Sequence, residues 1–356
     1  MQKEQSEFDF IARIRRRAAR HNRTLAASLS SLISHPSTLP AIGDDAAIII
    51  ANNGRDLVIT ADLLVEEIDF RRTTTDARAL GHKALAVSLS DIAAMGARPR
   101  YALLSVGVPE NVWRTRWLDE FYEGFFALAA RTGVTLIGGD VSRTPERIVV
   151  DSILLGETRR GRAVLRNGAR PGDQIFVTGT LGGASAGLKM LESKTTKRTM
   201  RTRQRAPQSQ LNIARAQLIR RQLQPEPRLA WGALLGERRL ASAMIDLSDG
   251  LSSDLAHLCQ ESHVGALIDA AYLPIDPLIA QANINAPDAL THALDGGEDF
   301  ELLFTVRPQR VARLPHELDG VHVTHIGEVR APSAGIKILV NKRARTLKPA
   351  GFVHFR

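Results

Sequence analysis

The stretch Ile42-Gly43-Asp44-Asp45-Ala46-Ala47, followed by the apolar run Ile48-Ile49-Ile50, predicts a turn that enters a buried strand. Two adjacent carboxylates at such a turn repel each other, so the pair is most stable when a cation lies between or above them. A Gly-Asp-Asp turn is also an ordinary way to begin a strand. This stretch alone therefore leaves a structural and a metal-binding interpretation open.

The same arrangement recurs along the chain, and the repetition favours the metal-binding interpretation. Acidic residues stand at the ends of five further apolar runs: Thr60-Ala61-Asp62, Ser88-Leu89-Ser90-Asp91, Gly138-Gly139-Asp140, Asp246-Leu247-Ser248-Asp249-Gly250 and Gly296-Gly297-Glu298-Asp299. Glycine beside an acid lets the backbone approach a phosphate closely, while the carboxylate holds a hard cation through oxygen. Single aspartates spread over both halves of the chain suit several Mg²⁺ ions that share their remaining positions with water and substrate phosphates.

Composition indicates two packed domains, because the chain has 356 residues of which 44% are hydrophobic. The single cysteine, Cys259, excludes an internal disulfide and a cysteine-rich zinc site, and it fits a reducing compartment. No apolar run approaches the length of a membrane span, and Glu4, Glu7 and Asp9 interrupt the region where a signal peptide would be apolar. We therefore expect a cytoplasmic protein without a membrane partner.

The basic charge of the chain is concentrated in one segment. The formal net charge is +9, and residues 194–205 carry much of it, with no acidic residue before Glu226 and no aromatic residue to stack on a base. A solvated loop between two helices is the favoured interpretation, and an electrostatic tether for RNA, DNA or another polyanion is the alternative. Nucleic acid is therefore not predicted as a partner.

Strand-like and helix-like stretches alternate along the chain. Two apolar runs at residues 45–51 and 56–65, separated by Asn52-Asn53-Gly54, predict a hairpin. Apolar residues at helical spacing follow from Asp76, the predicted N-cap, to Met95, with Gly96 just beyond. Further strands are predicted at residues 101–108, 134–137, 148–155, 174–178, 266–269, 300–306, 321–326 and 336–340, and further helices at 11–23, 112–131, 184–191, 211–223 and 249–261.

This alternation favours an α/β or α+β fold with mixed sheets in two domains. We expect the boundary near Thr144-Pro145, which divides residues 1–145 from residues 146–356. The second domain then contains the basic insert at about residues 193–210.

Two enzyme classes are excluded by motifs that the sequence lacks. There is no G-x-x-x-x-G-K-[ST] loop and no protein-kinase signature set. What remains is an ATP-using fold that handles phosphate through metal ions.

Six motifs in order resemble the thiamine-monophosphate kinase family, within the superfamily of aminoimidazole ribonucleotide synthetase. The resemblance covers nearly the whole chain except the basic insert. The six motifs are Ile42-Gly43-Asp44-Asp45-Ala46, residues 83–96 from Lys83 to Gly96, Ile137-Gly138-Gly139-Asp140, Val177-Thr178-Gly179-Thr180-Leu181-Gly182, residues 245–251 around Asp246-Leu247-Ser248-Asp249-Gly250, and Gly296-Gly297-Glu298-Asp299. Each motif alone is moderately specific, whereas six in this order are highly specific for the superfamily.

The resemblance implies ATP-dependent phosphorylation of thiamine monophosphate to thiamine diphosphate by direct transfer of the γ-phosphoryl group. It also implies two α/β domains per chain and a homodimer formed through the N-terminal halves, with nucleotide bound near that junction. The acceptor is a phosphate oxygen, largely deprotonated at neutral pH, so no residue is expected to act as a general base.

By position, the resemblance assigns three sets of residues. The magnesium ligands would be Asp45, Thr60, Ala61, Asp62, Asp91, Asp140, Asp246 and Asp249. ATP would contact Gly139, Asp140, Arg166 and Ser248. The acceptor would contact Glu298 and the two positions where this chain departs from the family, Asp69 and Pro349.

Both departures lie on the acceptor side. Asp69 stands in Val65-Glu66-Glu67-Ile68-Asp69-Phe70 where the family usually has a histidine. Pro349 stands two residues before Gly351, where the family often has a tryptophan that could stack on a heterocycle. Two alternatives to the kinase therefore stay open: a superfamily relative that activates a different acceptor with ATP, and a non-catalytic protein that binds ATP or a polyanion.

Overall fold

The computed structural model describes residues 13, 16, 44–50, 54–193 and 210–354. The predicted N-terminal helix lies almost entirely outside these residues. The predicted turn residues Asn52 and Asn53 and the basic insert lie outside them as well, as does Gly43 of the first motif.

The first half of the chain forms a five-stranded mixed sheet. Its strands, in chain order, are β1 (Ala47–Ile50), β2 (Arg55–Val65), β3 (Arg98–Val108), β4 (Thr135–Arg143) and β5 (Val149–Arg159). They lie in the order β1-β2-β5-β3-β4, and every neighbouring pair is antiparallel except β3 and β4. The predicted hairpin is confirmed, because Ala47 pairs with Ile59 and Ile50 with Asp56 in antiparallel register.

Three helices belong to this half: α1 (Ala77–Ala94), α2 (Glu110–Trp113) and α3 (Trp117–Thr132). Helix α1 packs on β2, β3 and β5, α3 packs on α1, and α2 contacts α3. Asp76 caps α1 as predicted, because its carboxylate accepts the amide of Ala79 at 2.7 Å. The single helix predicted at residues 112–131 is instead two helices. Thr115 explains the break, since its hydroxyl donates to the carbonyl of Val112 at 2.7 Å and accepts the amide of Trp117 at 3.2 Å.

The second half forms a larger mixed sheet with helices around it. The strands are β6 (Gln174–Thr178), β7 (Ala241–Asp246), β8 (Gly265–Asp269), β9 (Leu302–Val306), β10 (Glu317–Leu318), β11 (Val321–Arg330), β12 (Ile336–Val340) and β13 (Arg343–Thr346). Their order is β13-β12-β8-β11-β6-β9-β7, with β10 paired to β11. The helices are α4 (Gly183–Glu192), α5 (Gln210–Leu223), α6 (Leu229–Glu237), α7 (Leu251–Ser262), α8 (Pro277–Gln281), α9 (Ala286–Asp295) and α10 (Pro308–Val311), with 3-10 turns at Ala270–Tyr272 and Pro332–Ala334.

The structure corrects two of the predicted boundaries. Strand β5 lies between β2 and β3 in the first sheet, so the chain passes from one sheet to the other after Arg159, not near Thr144-Pro145. Strand β4 runs through Gly138-Gly139-Asp140, which was expected to close the strand. Gly139 explains this, because it has φ +153° and an added Cβ would lie 1.8 Å from the carbonyl oxygen of Leu104. Glycine at this position marks a close backbone approach inside a strand.

Helix α1 is buried almost all round, because it lies between the two halves of the molecule. It contacts β2, β5 and α3 of the first half and α6 and β7 of the second half. Leu85, Leu89 and Ile92 belong to the core of the first half, whereas Ala93 and Ala94 pack in a second cluster with Trp231 and Leu235 of α6. Different side chains of α1 therefore contact groups from the two halves of the chain. Within the described ranges, no helix has both the length and the apolar character needed to cross a bilayer.

Glycine allows two helices to approach α1 closely. A Cβ at Gly124 of α3 would lie 1.9 Å from the carbonyl oxygen of Arg78, and one at Gly232 of α6 would lie 2.1 Å from that of Ala93. Both distances are far inside van der Waals contact, so a methyl group at either position forces the backbones apart.

We expect Gly232→Ala to lower the free energy of unfolding by about 3 kcal/mol, because overpacking a rigid backbone contact costs about 1–3 kcal/mol or more. Urea denaturation measures this loss. Ala127→Leu, which enlarges an exposed residue of α3, is the control and is expected to change the stability by less than about 0.5 kcal/mol. Equal stability of Gly232→Ala and the wild type would contradict the close packing of α6 on α1.

Candidate active site

Three aspartates from separate parts of the chain meet at one end of α1. Asp45 lies just before β1, Asp91 lies in the last turns of α1, and Asp246 ends β7. Each offers a carboxylate oxygen, and these oxygens all lie within 4.8 Å of one another. Asp45 and Asp246 are buried, and Asp91 is half-buried. We call these three residues the aspartate trio.

The trio is an electrostatically strained arrangement in the absence of a cation. Burial, followed by the charge of Asp45, raises the pKa of Asp246 to about 8. Burial and the charges of Asp62 and Asp246 raise the pKa of Asp91 well above its usual value. The Oδ2 atom of Asp45 is buried without a hydrogen-bond partner. Since carboxylate oxygens are the preferred ligands of hard divalent cations, the trio fits such an ion.

Hydroxyl groups orient the carboxylates of the trio and of Asp62. The hydroxyl of Ser90 donates to Asp246 at 2.6 Å, and that of Ser88 donates to Asp62 at 2.7 Å. The hydroxyl of Thr60 donates to Asp91. Outer hydrogen bonds of this kind fix the direction in which a metal ligand presents its free oxygen. Thr60 therefore contacts a candidate ligand through its side chain.

Arg166 is the cation that the structure pairs with the trio. Its Nη2 atom lies 2.8 Å from Oδ1 of Asp45, whose side chain is fully buried. Burial by itself lowers the pKa of Arg166, but the carboxylate of Asp45 more than offsets this effect and raises it. The amide of Arg166 donates to Asp44 at 3.2 Å, and burial together with the charge of Asp45 raises the pKa of Asp44 to about 7. Asp44 thus holds Arg166 in place by its backbone.

A cavity of about 320 Å³ opens beside the trio, between the two halves of the chain. Its walls include the acidic residues Asp62, Asp69, Asp249 and Glu298, the buried Lys83, and the apolar or aromatic side chains Phe70, Val87, Leu188, Phe300 and Phe352. Burial raises the pKa of Asp62 to about 6. The charge of Asp62 acts on both Asp91 and Asp246, so the cavity and the trio form one electrostatic unit.

Turn residues near the end of β7 place Ser248 and Asp249 on the cavity wall. The amide of Glu298 donates to the carbonyl of Ser248 at 2.8 Å. Asp254 of α7 accepts the amides of Asp249 at 3.2 Å and Gly250 at 3.0 Å. These bonds join the Asp246-Leu247-Ser248-Asp249-Gly250 and Gly296-Gly297-Glu298-Asp299 segments, so Asp249 and Glu298 reach the same cavity.

The acceptor-side candidates occupy different environments. Glu298 lies 2.6 Å from Nζ of Lys83 and also accepts a hydrogen bond from Gln222. Asp69 accepts the amide of Val65 at 2.7 Å. Burial raises the pKa of Asp69, and the Val65 amide and the charge of His354 partly offset the rise. Asp69 therefore combines a structural bond with a position on the cavity wall.

Other predicted site residues lie apart from the trio. Asp140 is exposed on the edge strand β4, three strands from Asp62, which corresponds to about 14 Å at the usual strand spacing. Gly139 lies beside it in β4, and Ala61 is exposed on β2. Pro349 is exposed and is absent from the cavity walls, whereas Phe352 and His354 from the same segment line the cavity.

Lys83, Ser88 and Ser90 were given no role from the sequence, although all three lie in the motif at residues 83–96 that contains Asp91. A signal was present, because a lysine and two serines ahead of an aspartate are unusual in a helix segment that is otherwise largely apolar. Asp44 and Asp299, two acids of the motifs to which no role was assigned from the sequence, accept backbone amides. Asp299 receives those of Gly182 at 2.6 Å and Ala184 at 3.1 Å at the start of α4.

Two family models match the chain. The model of the AIR synthase related protein, N-terminal domain, matches residues 43–158, and that of the AIR synthase related protein, C-terminal domain, matches residues 170–338. Together these matches cover most of both sheets and end at residue 338, within β12.

Curated and solved relatives are similar over most of the chain. The thiamine-monophosphate kinase of Bacillus subtilis is 36% identical over 91% of this chain and 96% of its own length, and that of Escherichia coli is 38% identical over 88% and 91%. A solved structure described as AaThiL complexed with AMPPCP and TMP has a TM-score of 0.76 and 30% identity, covering 100% of this chain and 99% of its own. The thiamine-monophosphate kinase structure from Stenotrophomonas maltophilia has a TM-score of 0.71 and 35% identity over 89% and 94%.

Proposed function

The chain belongs to the thiamine-monophosphate kinase family, and we infer that it transfers the γ-phosphoryl group of ATP to thiamine monophosphate, forming thiamine diphosphate and ADP. The relative described with AMPPCP and TMP has the same fold over the whole chain. The different-acceptor and non-catalytic alternatives lack a comparable relative among the matches described above.

The observation that carries this function is the aspartate trio beside the cavity between the two halves of the chain. A kinase with a phosphate acceptor must hold two polyanions together. At 4 Å, each pair of like unit charges costs about 4 kcal/mol at an effective dielectric constant of 20. A cluster that gathers cations next to a cavity for a small molecule meets this requirement.

We propose that several Mg²⁺ ions accompany ATP. Asp45, Asp91 and Asp246 would hold magnesium at the trio, and Asp62 and Asp249 would hold it on the cavity wall. The unpartnered Oδ2 of Asp45 and the raised pKa values of Asp62 and Asp246 support this fit. Bound magnesium supplies charge neutralisation of the phosphates. Asp140 and Gly139 on β4 stay candidate nucleotide contacts, and Thr60 and the backbone of Ala61 stay lesser candidate ligands.

The protein's own groups orient the two substrates. Arg166 beside Asp45 provides a fixed positive charge for ATP phosphates, and Ser248 faces the cavity where the γ-phosphoryl group must meet the acceptor. The acceptor oxygen is already deprotonated, so alignment for in-line transfer and charge neutralisation account for the rate, without proton removal by a side chain.

The deciding experiment is an assay of the full chain with ATP, MgCl₂ and thiamine monophosphate that follows thiamine diphosphate and ADP. Formation of both products in equal amounts supports the function. ADP formation that depends on another phosphorylated metabolite, with no thiamine diphosphate, favours the different-acceptor alternative. Binding of ATP without turnover of any acceptor favours a non-catalytic role.

Phe352 of the C-terminal segment lines the cavity. It can supply the aromatic ring that the family often provides as a tryptophan at the position of Pro349. Its ring is 44% exposed and contacts His354 edge to face, with 4.8 Å between ring centroids. We expect Phe352→Ala to raise the KM for thiamine monophosphate by about 3–10-fold, since aromatic stacking is worth about 0.5–1.5 kcal/mol. The KM for ATP stays within twofold. Tyr272→Ala, which removes a 60% exposed ring away from the cavity, is the control, and an equal effect of both variants would contradict this role.

We also propose a homodimer formed through the first sheet. Leu63, Tyr101 and Ile137 are large apolar residues of this sheet that are 48–57% exposed, and β4 is an edge strand. A second copy that covers this surface would bury them and bring a partner group toward Asp140, which is distant from the trio of its own chain. Analytical ultracentrifugation tests this proposal.

Because the donor is ATP, we place the enzyme in the cytoplasm.

A further inference from the structure

Lys83 is a buried cation on the wall of the cavity between the two halves of the chain. Its side chain is only 3% exposed, and its Nζ atom lies 2.6 Å from Oε1 of Glu298. A buried ammonium group is costly unless it is paired and hydrogen-bonded. Its presence in a helix that is otherwise largely apolar calls for a compensating partner, and Glu298 supplies one in the substrate-free state.

The cavity is acidic, so an acceptor that carries a phosphate needs a nearby cation when it enters. The walls carry the carboxylates of Asp62, Asp69, Asp249 and Glu298. A phosphate monoester adds about −1.5 to −2 charges at neutral pH. Asp62 and Asp249 would hold magnesium, which would neutralise part of this charge. A cation of the protein close to the phosphate would neutralise the rest.

Lys83 is better placed for this task than Arg71, another cation of the cavity wall. Arg71 is 44% exposed and is engaged by Glu192 at 2.6 Å and Glu67 at 3.4 Å on the surface. Lys83 is shielded from water, where an interaction with a phosphate is stronger because the local dielectric constant is lower.

Glu298 can release Lys83 without losing all of its hydrogen bonds. Its other carboxylate oxygen accepts from the side-chain amide of Gln222. Its backbone is held independently, because its amide donates to the carbonyl of Ser248 at 2.8 Å. An exchange of Lys83 from Glu298 to a phosphate therefore leaves Glu298 in position to contact another part of the acceptor.

Helix α1 carries Lys83 toward one of its ends, on the cavity wall, and Asp91 toward the other, in the trio. Lys83 and Val87, one turn apart, both line the cavity. Ser88 contacts Asp62, and Asp91 belongs to the trio. Lys83 precedes Asp91 by eight residues, which is about 12 Å along a helix axis. This span matches a phosphate acceptor at one end and nucleotide phosphates at the other.

We propose that Lys83 binds the phosphate group of the acceptor and gives up its ion pair with Glu298 when the acceptor enters. This inference rests on the proposed function and names the residue of that site that distinguishes a phosphorylated acceptor from its unphosphorylated form.

The test compares the binding of thiamine monophosphate and of thiamine, which lacks the phosphate, to the full chain by calorimetry with MgCl₂ and AMPPCP. In Lys83→Gln we expect the affinity for thiamine monophosphate to fall by about 10–100-fold, as for the loss of a hydrogen bond to a charged group. The affinity for thiamine changes by less than about threefold. Lys83→Arg keeps the charge and retains most of the preference for the phosphorylated ligand.

Arg78→Gln is the matched control, because Arg78 lies on the same helix, is ion-paired with Glu123 and is 60% exposed outside the cavity. Equal weakening of both ligands in Lys83→Gln would overturn the proposal, since Lys83 would then serve only to position Glu298. A wild-type protein that binds both ligands equally would overturn it as well.

Two further outcomes are distinguishable. If Lys83→Gln fails to fold, the double variant Lys83→Gln/Glu298→Gln removes both charges of the pair, and the ratio of the two affinities decides in the same way. Absence of thiamine diphosphate in the wild-type assay refutes the proposed function. The preference for the phosphorylated ligand still decides the role of Lys83 in that case.

Discussion

Asp246→Asn will lower the rate of thiamine diphosphate formation by at least about a hundredfold and will make the metal-free protein more stable. We expect the rate to fall because Asp246 is a proposed magnesium ligand, and the loss of a direct ligand costs more than the loss of outer-shell contacts, which costs about 10–100-fold. The stability rises because asparagine removes one of three mutually repelling carboxylates that lie within 4.8 Å of one another. We expect a gain of about 1–2 kcal/mol in EDTA, which is about 1–3 °C in Tm for a chain of 356 residues.

A lower rate together with a higher stability of the metal-free protein would show that the trio destabilises the fold but is needed for cation binding. Adding MgCl₂ should raise the Tm of the wild type, because a ligand that binds only the folded state stabilises it. The rise should be much smaller in Asp246→Asn. Asp119→Asn, at an exposed position in the first turn of α3, is the control for loss of a carboxylate. A metal-free Asp246→Asn protein that melts below the wild type would contradict the repulsion within the trio.

Arg166→Met will have the reverse effect on the metal-free protein. It removes the partner of Asp45, whose side chain is fully buried, and breaking a buried ion pair on one side costs about 3–5 kcal/mol. The KM for ATP should rise by about 10–100-fold, because the charged donor that we propose for its phosphates is lost. Urea denaturation in EDTA and initial rates at varied ATP concentration measure the two effects.

Magnesium separates the structural part of the Arg166→Met effect from the functional part. Cations bound at the trio replace the missing charge beside Asp45, so MgCl₂ should restore much of the lost stability but not the affinity for ATP. Arg170→Met, four residues further along the chain and exposed, is the matched control. Unchanged stability of Arg166→Met in EDTA would show that Asp45 does not depend on this ion pair.

Much of the fold could be predicted from local patterns. The hairpin of β1 and β2 follows from two apolar runs around a turn, and the start of α1 follows from Asp76, whose carboxylate caps the first turn. Period and turn chemistry act over a few residues, so the sequence displays them directly. The prediction was wrong where a local signal had a different tertiary cause. Gly138-Gly139 suggested the end of a strand, but Gly139 is required by the close approach of Leu104 inside β4.

The family, the mixed α/β fold and the acids from which the site is built could all be predicted from the order of motifs along the chain. Which of these acids meet depends on the tertiary structure. It joins Asp45, Asp91 and Asp246, leaves Asp140 on an exposed edge strand, and brings Lys83 to Glu298. These contacts depend on how α1 packs between two sheets, and the free energy of that packing is set by burial over the whole core, which no local pattern contains.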